Sequence, residues 1–535
     1  MHTIRPRTFS LRKAQSEQES PAMHLFLERS SDYFSELLSL SKQLFQPDHF
    51  YPMNRRKFLG QASCAGVSSI PLLNTLLNLQ LASSIANAAP PAVGEYRAIV
   101  CLFLSGGNDS YNMLAPYSGA SSTNANSYNE YQTSRGNLAL AQASLLQISP
   151  INTPGRTFGV HPSMPNLAAR FQAGDAAFIA NVGTLIEPVQ NRAQVAAASK
   201  FLPLGLYSHS DQIEQWQTSV PHSRSGIGWA GRMMDLLKDI NPGQAVSMNI
   251  SMDGSNVFQS GLTGAEYAVS AGNSQQEGGA VALAGYAENY NSNNGFTNAA
   301  STAMDGMLAQ QYSHLLQETW QKKRRDAQEA YAVYSAATAP NLPGNVVFPN
   351  TSLGRQLKQV AKAIMGRTAL GALRQTFFVN RGGWDHHSDT LTLQQGMLGE
   401  VDGAIAAFWA QLVALGMEDQ VTLFSGSDFG RTLTSNDRGS DHAWGGNHFV
   451  LGGKVVGQKI YGSYPSLAVN PESGAEINPL DTGRGRLIPT TSCDQYFAEM
   501  ALWLGVPPSS LSLILPNIGN FYAANSSSPP LGFLE

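Results

Sequence analysis

VTLFSGSDFGRTLTSNDRGSDHAWGGNHF, residues 421–449, opens with an apolar run, Val421 to Phe424, closed by Ser425 and Gly426. That is the pattern of a buried strand in an α/β sheet. Directly behind it stand Asp428, Arg431, Asp437, Asp441, His442 and His448, spaced by glycines that let the backbone turn tightly around whatever these side chains face. Strand ends of this kind are where α/β sheets keep their sites. Eight histidines follow residue 89, and four of them (His386, His387, His442, His448) fall between 386 and 448, a clustering that points to metal.

Three more apolar runs read as strands of the same sheet: Tyr96 to Leu104, Ala176 to Val182 and Thr376 to Val379. The first feeds Ser105-Gly106-Gly107-Asn108-Asp109, a glycine turn tipped by a carboxylate. The third feeds Gly382-Gly383-Trp384-Asp385-His386-His387. Between the strands, Met164, Leu167, Ala168 and Phe171 recur at helical spacing until Gly174, and helices are expected from about Ser208 to Thr218, Gly226 to Ile240, Leu353 to Leu373 and Leu391 to Leu415. One long helix is expected over Thr302 to Ala336, its QKKRRD run a solvated face. Ser118 to Gly136 reads as loop, and 247–301, rich in Gly, Asn and Ser, as a loop-rich insertion. Alternating strand and helix predicts an α/β fold: a mostly parallel central sheet with helices on both faces, in one large domain over 95–535.

With 535 residues a large core is assured. A formal charge of −4 with 13% charged residues offers no basic field for nucleic acid. Cys101 and Cys493 could form one disulfide or remain buried thiols. Ahead of the domain, Arg55-Arg56 precede an apolar, small-residue stretch ending in Ala86-Asn87-Ala88, so residues 53–89 read as a twin-arginine (Tat) signal peptide and 1–52 as an extra segment upstream of it. The expected location is the periplasm or beyond, with the Tat export machinery as a partner. Cys64 lacks the residue that opens a lipoprotein box, which argues against a stable membrane anchor.

Asp109, Asp385 with His386 and His387, and Asp428 through His448 each follow a strand. Parallel strands bring such ends to one edge. Mixed Asp/His sets suit Zn²⁺ or Mn²⁺, and a pair of such ions can clamp a phosphoryl-type transition state. For any one histidine taken alone, a satisfied core or loop residue is the plainer reading. Arg431 can meet an oxyanion or form a structural salt bridge with a nearby Asp.

The order of these motifs resembles the alkaline phosphatase and sulfatase superfamily: a strand leading to Gly-Gly-Asn-Asp, then MPNLAARFQAGDAAFIANVG, a serine-led helix and FSGSDFG. More closely, the chain resembles a family of exported bacterial proteins, domain of unknown function 1501, in its twin-arginine leader, LSGGNDSYNMLAP, SHSDQIEQW, GGWDHH, FGRT and SDHAWGGNHFVLGG. The resemblance implies an alkaline phosphatase-like fold and a divalent metal, zinc or manganese and up to two ions. Its ligands would be Asp109, Asp385, His387, Asp428, His442 and His448. It also sets Ser208 where the superfamily's nucleophile opens its helix, with Ser210 as second candidate; the plainer reading of Ser208 is a helix cap. Phe429 stands where the superfamily has a metal-binding His, so one metal position is incomplete or is filled from His442. No Cys/Ser-x-Pro-x-Arg motif occurs, which argues against formylglycine sulfatase chemistry. The implied function is metal-dependent hydrolysis of phosphate or related esters; the rival is a non-catalytic binding protein with a degenerate site. A carbohydrate-binding reading has nothing positive behind it.

Overall fold

The computed structural model describes residues 95–118, 127–241, 245–282, 286–287 and 292–535, so the signal peptide and the segment before it lie outside the described residues. In chain order the strands are β1 (Arg97–Leu104), β2 (Leu114–Ser118), β3 (Leu146–Ile148), β4 (Thr157–Val160), β5 (Ala176–Gly183), β6 (Asn249–Ser251), β7 (Tyr267–Gly272), β8 (Glu277–Ala280), β9 (Arg374–Asn380), β10 (Val421–Ser427), β11 (Gly446–Gly452), β12 (Ile460–Tyr461) and β13 (Thr491–Ser492). The helices that matter below are α1 (Tyr128–Arg135), α2 (Pro165–Ala173), α3 (His209–Thr218), α4 (Trp229–Leu237), α5 (Gly295–Leu308), α6 (Leu315–Thr338), α7 (Ser352–Met365), α8 (Thr390–Leu415) and α9 (Cys493–Trp503).

Ten strands form one mixed sheet in the order β12-β5-β11-β10-β1-β9-β6-β7-β8, with β13 beside β5. β1 is at its heart, parallel to β10 on one side and β9 on the other, so that Val100 stands between Leu423 and Phe377. Successive side chains of β1 serve two cores. Ala98, Val100, Leu102 and Leu104 pack into one, Ile99, Cys101 and Phe103 into the other. A strand covered on both faces has no polar side to show, which is why its sequence is apolar almost throughout. Helices α2, α7 and α8 contribute to the first core, α4 and α9 to the second. All four expected strands lie in this sheet, and the α/β class with helices on both faces holds. The sheet is mostly parallel, with antiparallel pairs at β10/β11, β11/β5 and β7/β8.

Three expectations are corrected. Residues 247–301 are not wholly an insertion, since β6, β7 and β8 extend the sheet beyond β9. Ser118 to Gly136 contains α1, started by Ser127, whose side chain accepts from the Glu130 N–H. The long helix over Thr302 to Ala336 is two, because His314 caps a new start and its side chain accepts from the Leu316 N–H. Of the two readings left open for Cys101 and Cys493, the buried thiol is the one the structure shows for both. Among the described residues, α8 alone is long and apolar enough to cross a membrane; Leu398, Val401, Ile405 and Phe408 bury in the first core instead.

Candidate functional site

β1, β9 and β10 are parallel, and the loops leaving them meet at one edge. After β1 the chain turns through Gly106 and Gly107, both at positive φ. A Cβ on Gly106 would come within 2.6 Å of the Asp385 nitrogen, so the turn needs glycine for close approach rather than for any phosphate loop. The Trp384 N–H donates to the Ser105 carbonyl at 3.1 Å, tying the loop after β9 to the loop after β1. After β10 the chain doubles back: Arg431 bridges His442 in antiparallel fashion, and the Gly430 N–H donates to the Trp444 carbonyl at 2.9 Å. Because β11 runs against β10, it starts at the edge where β10 ends. His442 is thereby delivered beside Asp385.

The centre of the cluster is the Asp385 carboxylate. Its Oδ1 lies 3.0 Å from His387 Nε2 and 3.2 Å from His442 Nε2; those two nitrogens are 3.0 Å apart. Its Oδ2 lies 3.4 Å from His209 Nε2. His209 Nδ1 is held at 2.7 Å by Asp428 Oδ2, a fully buried carboxylate whose other oxygen accepts the Gly106 N–H at 3.0 Å. His387 Nδ1 is 3.2 Å from Asp441, which also pairs with Arg484. Phe429 packs against the His209 and His442 rings, with centroids 4.8 and 4.6 Å away.

The charges are matched to this geometry. Burial works to raise the Asp385 carboxyl, but the hydrogen bond and charge of Arg431, with His387 and His209 beside it, hold it down at about 2. The hydrogen bond to Asp428 raises His209, whereas burial lowers His442. Asp385 is therefore ionised at neutral pH and His442 is neutral, the states in which both can donate electron pairs to a cation.

Four of the expected ligands, Asp385, His387, Asp428 and His442, meet here. Two do not take the expected place. Asp109 is buried and ion-paired with the equally buried Arg135 of α1. His448 lies inside β11, two residues into the strand, and alternation turns it with Val450 into the second core beside Trp216 and Tyr496. Arg431 realises its structural reading: it donates to the Gly107, Ser440 and Gly106 carbonyls and to Asp385, with no exposed surface left for an oxyanion. Ser208 sits at the N-cap of α3 but caps nothing; its hydroxyl is 3.2 Å from that of Ser210. Sequence reasoning passed over His209, between these two serines. A histidine at the first position of a helix that follows a loop was its one available signal.

The donor set suits a divalent ion. Tetrahedral bonds of about 2.0–2.1 Å put ligand atoms about 3.3 Å apart, and ligand atoms of His209, Asp385 and His442 lie within 4.8 Å of one another. The sequence profile of one family, described as "Protein of unknown function (DUF1501)", matches residues 96–482. No curated protein matches the chain.

Proposed function

We propose, for a chain that belongs to the DUF1501 family, that this cluster is the metal centre of an exported hydrolase of phosphate or related esters, on an alkaline phosphatase-like variant of the α/β fold. The observation that carries the reading is the convergence of His209, Asp385 and His442 at the edge of the sheet. These three would hold the ion, zinc or manganese by donor type, with His387 and Asp428 beside them. Bound there, it would supply Lewis-acid polarisation of an ester oxygen. The chain's own residues do the rest. Asp428 fixes the His209 ring and its tautomer, as carboxylates do for metal-binding imidazoles. Arg431 ties Asp385 to the loop after β1. The Ser208 hydroxyl, unused as a cap at the start of α3, is the nucleophile we favour, since a helix N-terminus stabilises the developing alkoxide; Ser210 is its alternate.

A second reading, a non-catalytic secreted binding protein, is favoured by Phe429 and by the Asp109–Arg135 pair, each of which removes a ligand from a second ion. Metal content and aryl phosphate hydrolysis of wild type, His209→Ala, Asp428→Ala and Ser208→Ala separate the two. The enzyme reading expects about one ion per chain, lost in the first two variants, and turnover lower by on the order of 10³-fold or more in the third with metal retained. Metal without hydrolysis of any ester supports the binding protein; metal retained in His209→Ala defeats the assignment of the site. We further propose Tat export to the periplasm or beyond. Replacing Arg55 and Arg56 with lysine should leave precursor in the cytoplasm, and mature protein outside the cell would count against that route.

A further inference from the structure

Beside β8, at the opposite end of the sheet's strand order from β12, α5 and α6 form a two-helix arm. Only Ala330, Tyr334, Ala337 and Thr338 of α6 are buried. Its first four turns, 315–329, are exposed or half-buried on every side, a projection of about 22 Å at 1.5 Å per residue. The two helices are held to each other by Arg324, whose guanidinium reaches the Met304 sulfur at 3.5 Å, and by Arg325 and Gln321, which donate to the Leu308 carbonyl. The tip that this arm carries is apolar. Leu315 and Leu316 are each 72% exposed, Trp320 49% and Met307 44%. Scattered single apolar residues on a surface mean little, but four large ones at the end of one projection form a patch that wants cover.

Charge distinguishes the possible covers. One turn behind the tip runs Lys322-Lys323-Arg324-Arg325, and between 310 and 325 the one carboxylate is Glu318. Lys322 and Lys323 are exposed. A symmetric pairing of two tips repeats the same patch on both partners and so brings one cation run close to another. An anionic surface meets the same run favourably. Leu and Trp at the end of a helix with Lys and Arg behind them is the arrangement that seats side chains at a bilayer interface, aromatic and aliphatic groups below the headgroups and cations among them. We propose that the tip of the α5–α6 arm docks reversibly on an anionic lipid surface, inserting Leu315, Leu316 and Trp320, with Lys322 and Lys323 at the headgroups. The QKKRRD run is then part of a binding patch and not merely a solvated face.

Tryptophan makes this directly measurable. Trp216, Trp229, Trp384, Trp444 and Trp503 are buried and Trp409 is half-buried, while residues 1–94 contain no tryptophan, so Trp320 alone at the tip can report contact with acyl chains. The full chain is mixed with phosphatidylglycerol vesicles carrying brominated acyl chains and its fluorescence is followed. Quenching is expected in wild type, absent in Trp320→Phe, and reduced at least fivefold in apparent affinity in Leu315→Ser/Leu316→Ser and in Lys322→Glu/Lys323→Glu. High salt or neutral phosphatidylcholine vesicles should weaken it as well. All these positions are solvent-exposed, and an unchanged melting temperature certifies each variant. No quenching, quenching that survives Trp320→Phe, or a concentration-dependent dimer abolished by Leu315→Ser/Leu316→Ser in place of vesicle binding would each overturn the proposal.

Discussion

His448 and His442 are six residues apart and have opposite fates. His442 stands before β11, in the bridged loop, and reaches Asp385; His448 stands within the strand and is carried by the period of two into the second core. Burial pushes His448 down to about 3, against about 6.5 in an unfolded chain. The sign follows: between those values the unfolded chain binds a proton that the folded protein refuses, so stability present above about pH 6.5 is lost as pH falls. The limiting slope is roughly 1.4 kcal/mol per pH unit for one such group. His448→Gln should flatten the fall of the urea midpoint between pH 6.5 and 4 while leaving bound metal unchanged; parallel curves for variant and wild type would show that this imidazole is not what titrates. The same pair of histidines marks the limit of what could be read from residues alone. GGNHF looks like the loop before it until the strand start at Gly446 is known. His209 hides for a different reason: its flanking serines carry the recognisable chemistry, and only the Asp428 contact shows that the imidazole between them faces the site.

At the scale of elements, strands were more legible than the segments joining them. β1, β5, β9 and β10 are covered on both faces, so each carries a mostly apolar run in the sequence, and Gly174, left-handed at φ +91, closes α2 where the periodicity stops. What stayed hidden depends on pairing. α1 sits in polar sequence, yet it carries Arg135, whose charge neutralises Asp109 and thereby takes that carboxylate out of the cluster. The loop between β10 and β11 is the other such element, because its bridge from Arg431 to His442 is long-range geometry and not local propensity. A Cβ at Gly430 would overlap the Gly445 carbonyl across that bridge, and the clash is with backbone that cannot swing aside. Gly430→Ala should therefore lower stability by more than about 2 kcal/mol and lower metal content with it. Ser492→Ala is the matched control: it removes one half of the capping box that starts α9, and should cost about 1 kcal/mol with metal content intact. Equal metal loss in both variants would mean that the site fails with general destabilisation and not with the bridge.

For the whole molecule, the sheet's two cores and the cluster at its edge pull in different directions. The cores are built from buried apolar side chains, whereas the edge gathers the Asp385, Asp428 and Asp441 carboxylates around three imidazoles. Arg431 and Arg484 offset part of that negative charge, but Arg431 is spent on carbonyls and Asp385, and Arg484 reaches only Asp441. On the proposed reading, a divalent cation binding the folded chain and not the unfolded one would supply the remainder, and by linkage it would stabilise the fold by RT ln(1 + [M]/Kd), about 2.7 kcal/mol at a hundredfold excess over Kd. The melting temperature should thus rise with zinc or manganese and fall after dialysis against a chelator. In His209→Ala, which removes a candidate ligand that is only partly buried, the metal-dependent part of that shift should disappear while the chelated forms of variant and wild type melt within a few degrees of each other. A chelated wild type as stable as the metal-treated one would mean that the carboxylates are already balanced by Arg431, Arg484 and the imidazoles, and the cluster would then be a hydrogen-bonded polar network that closes the edge of the sheet without a metal.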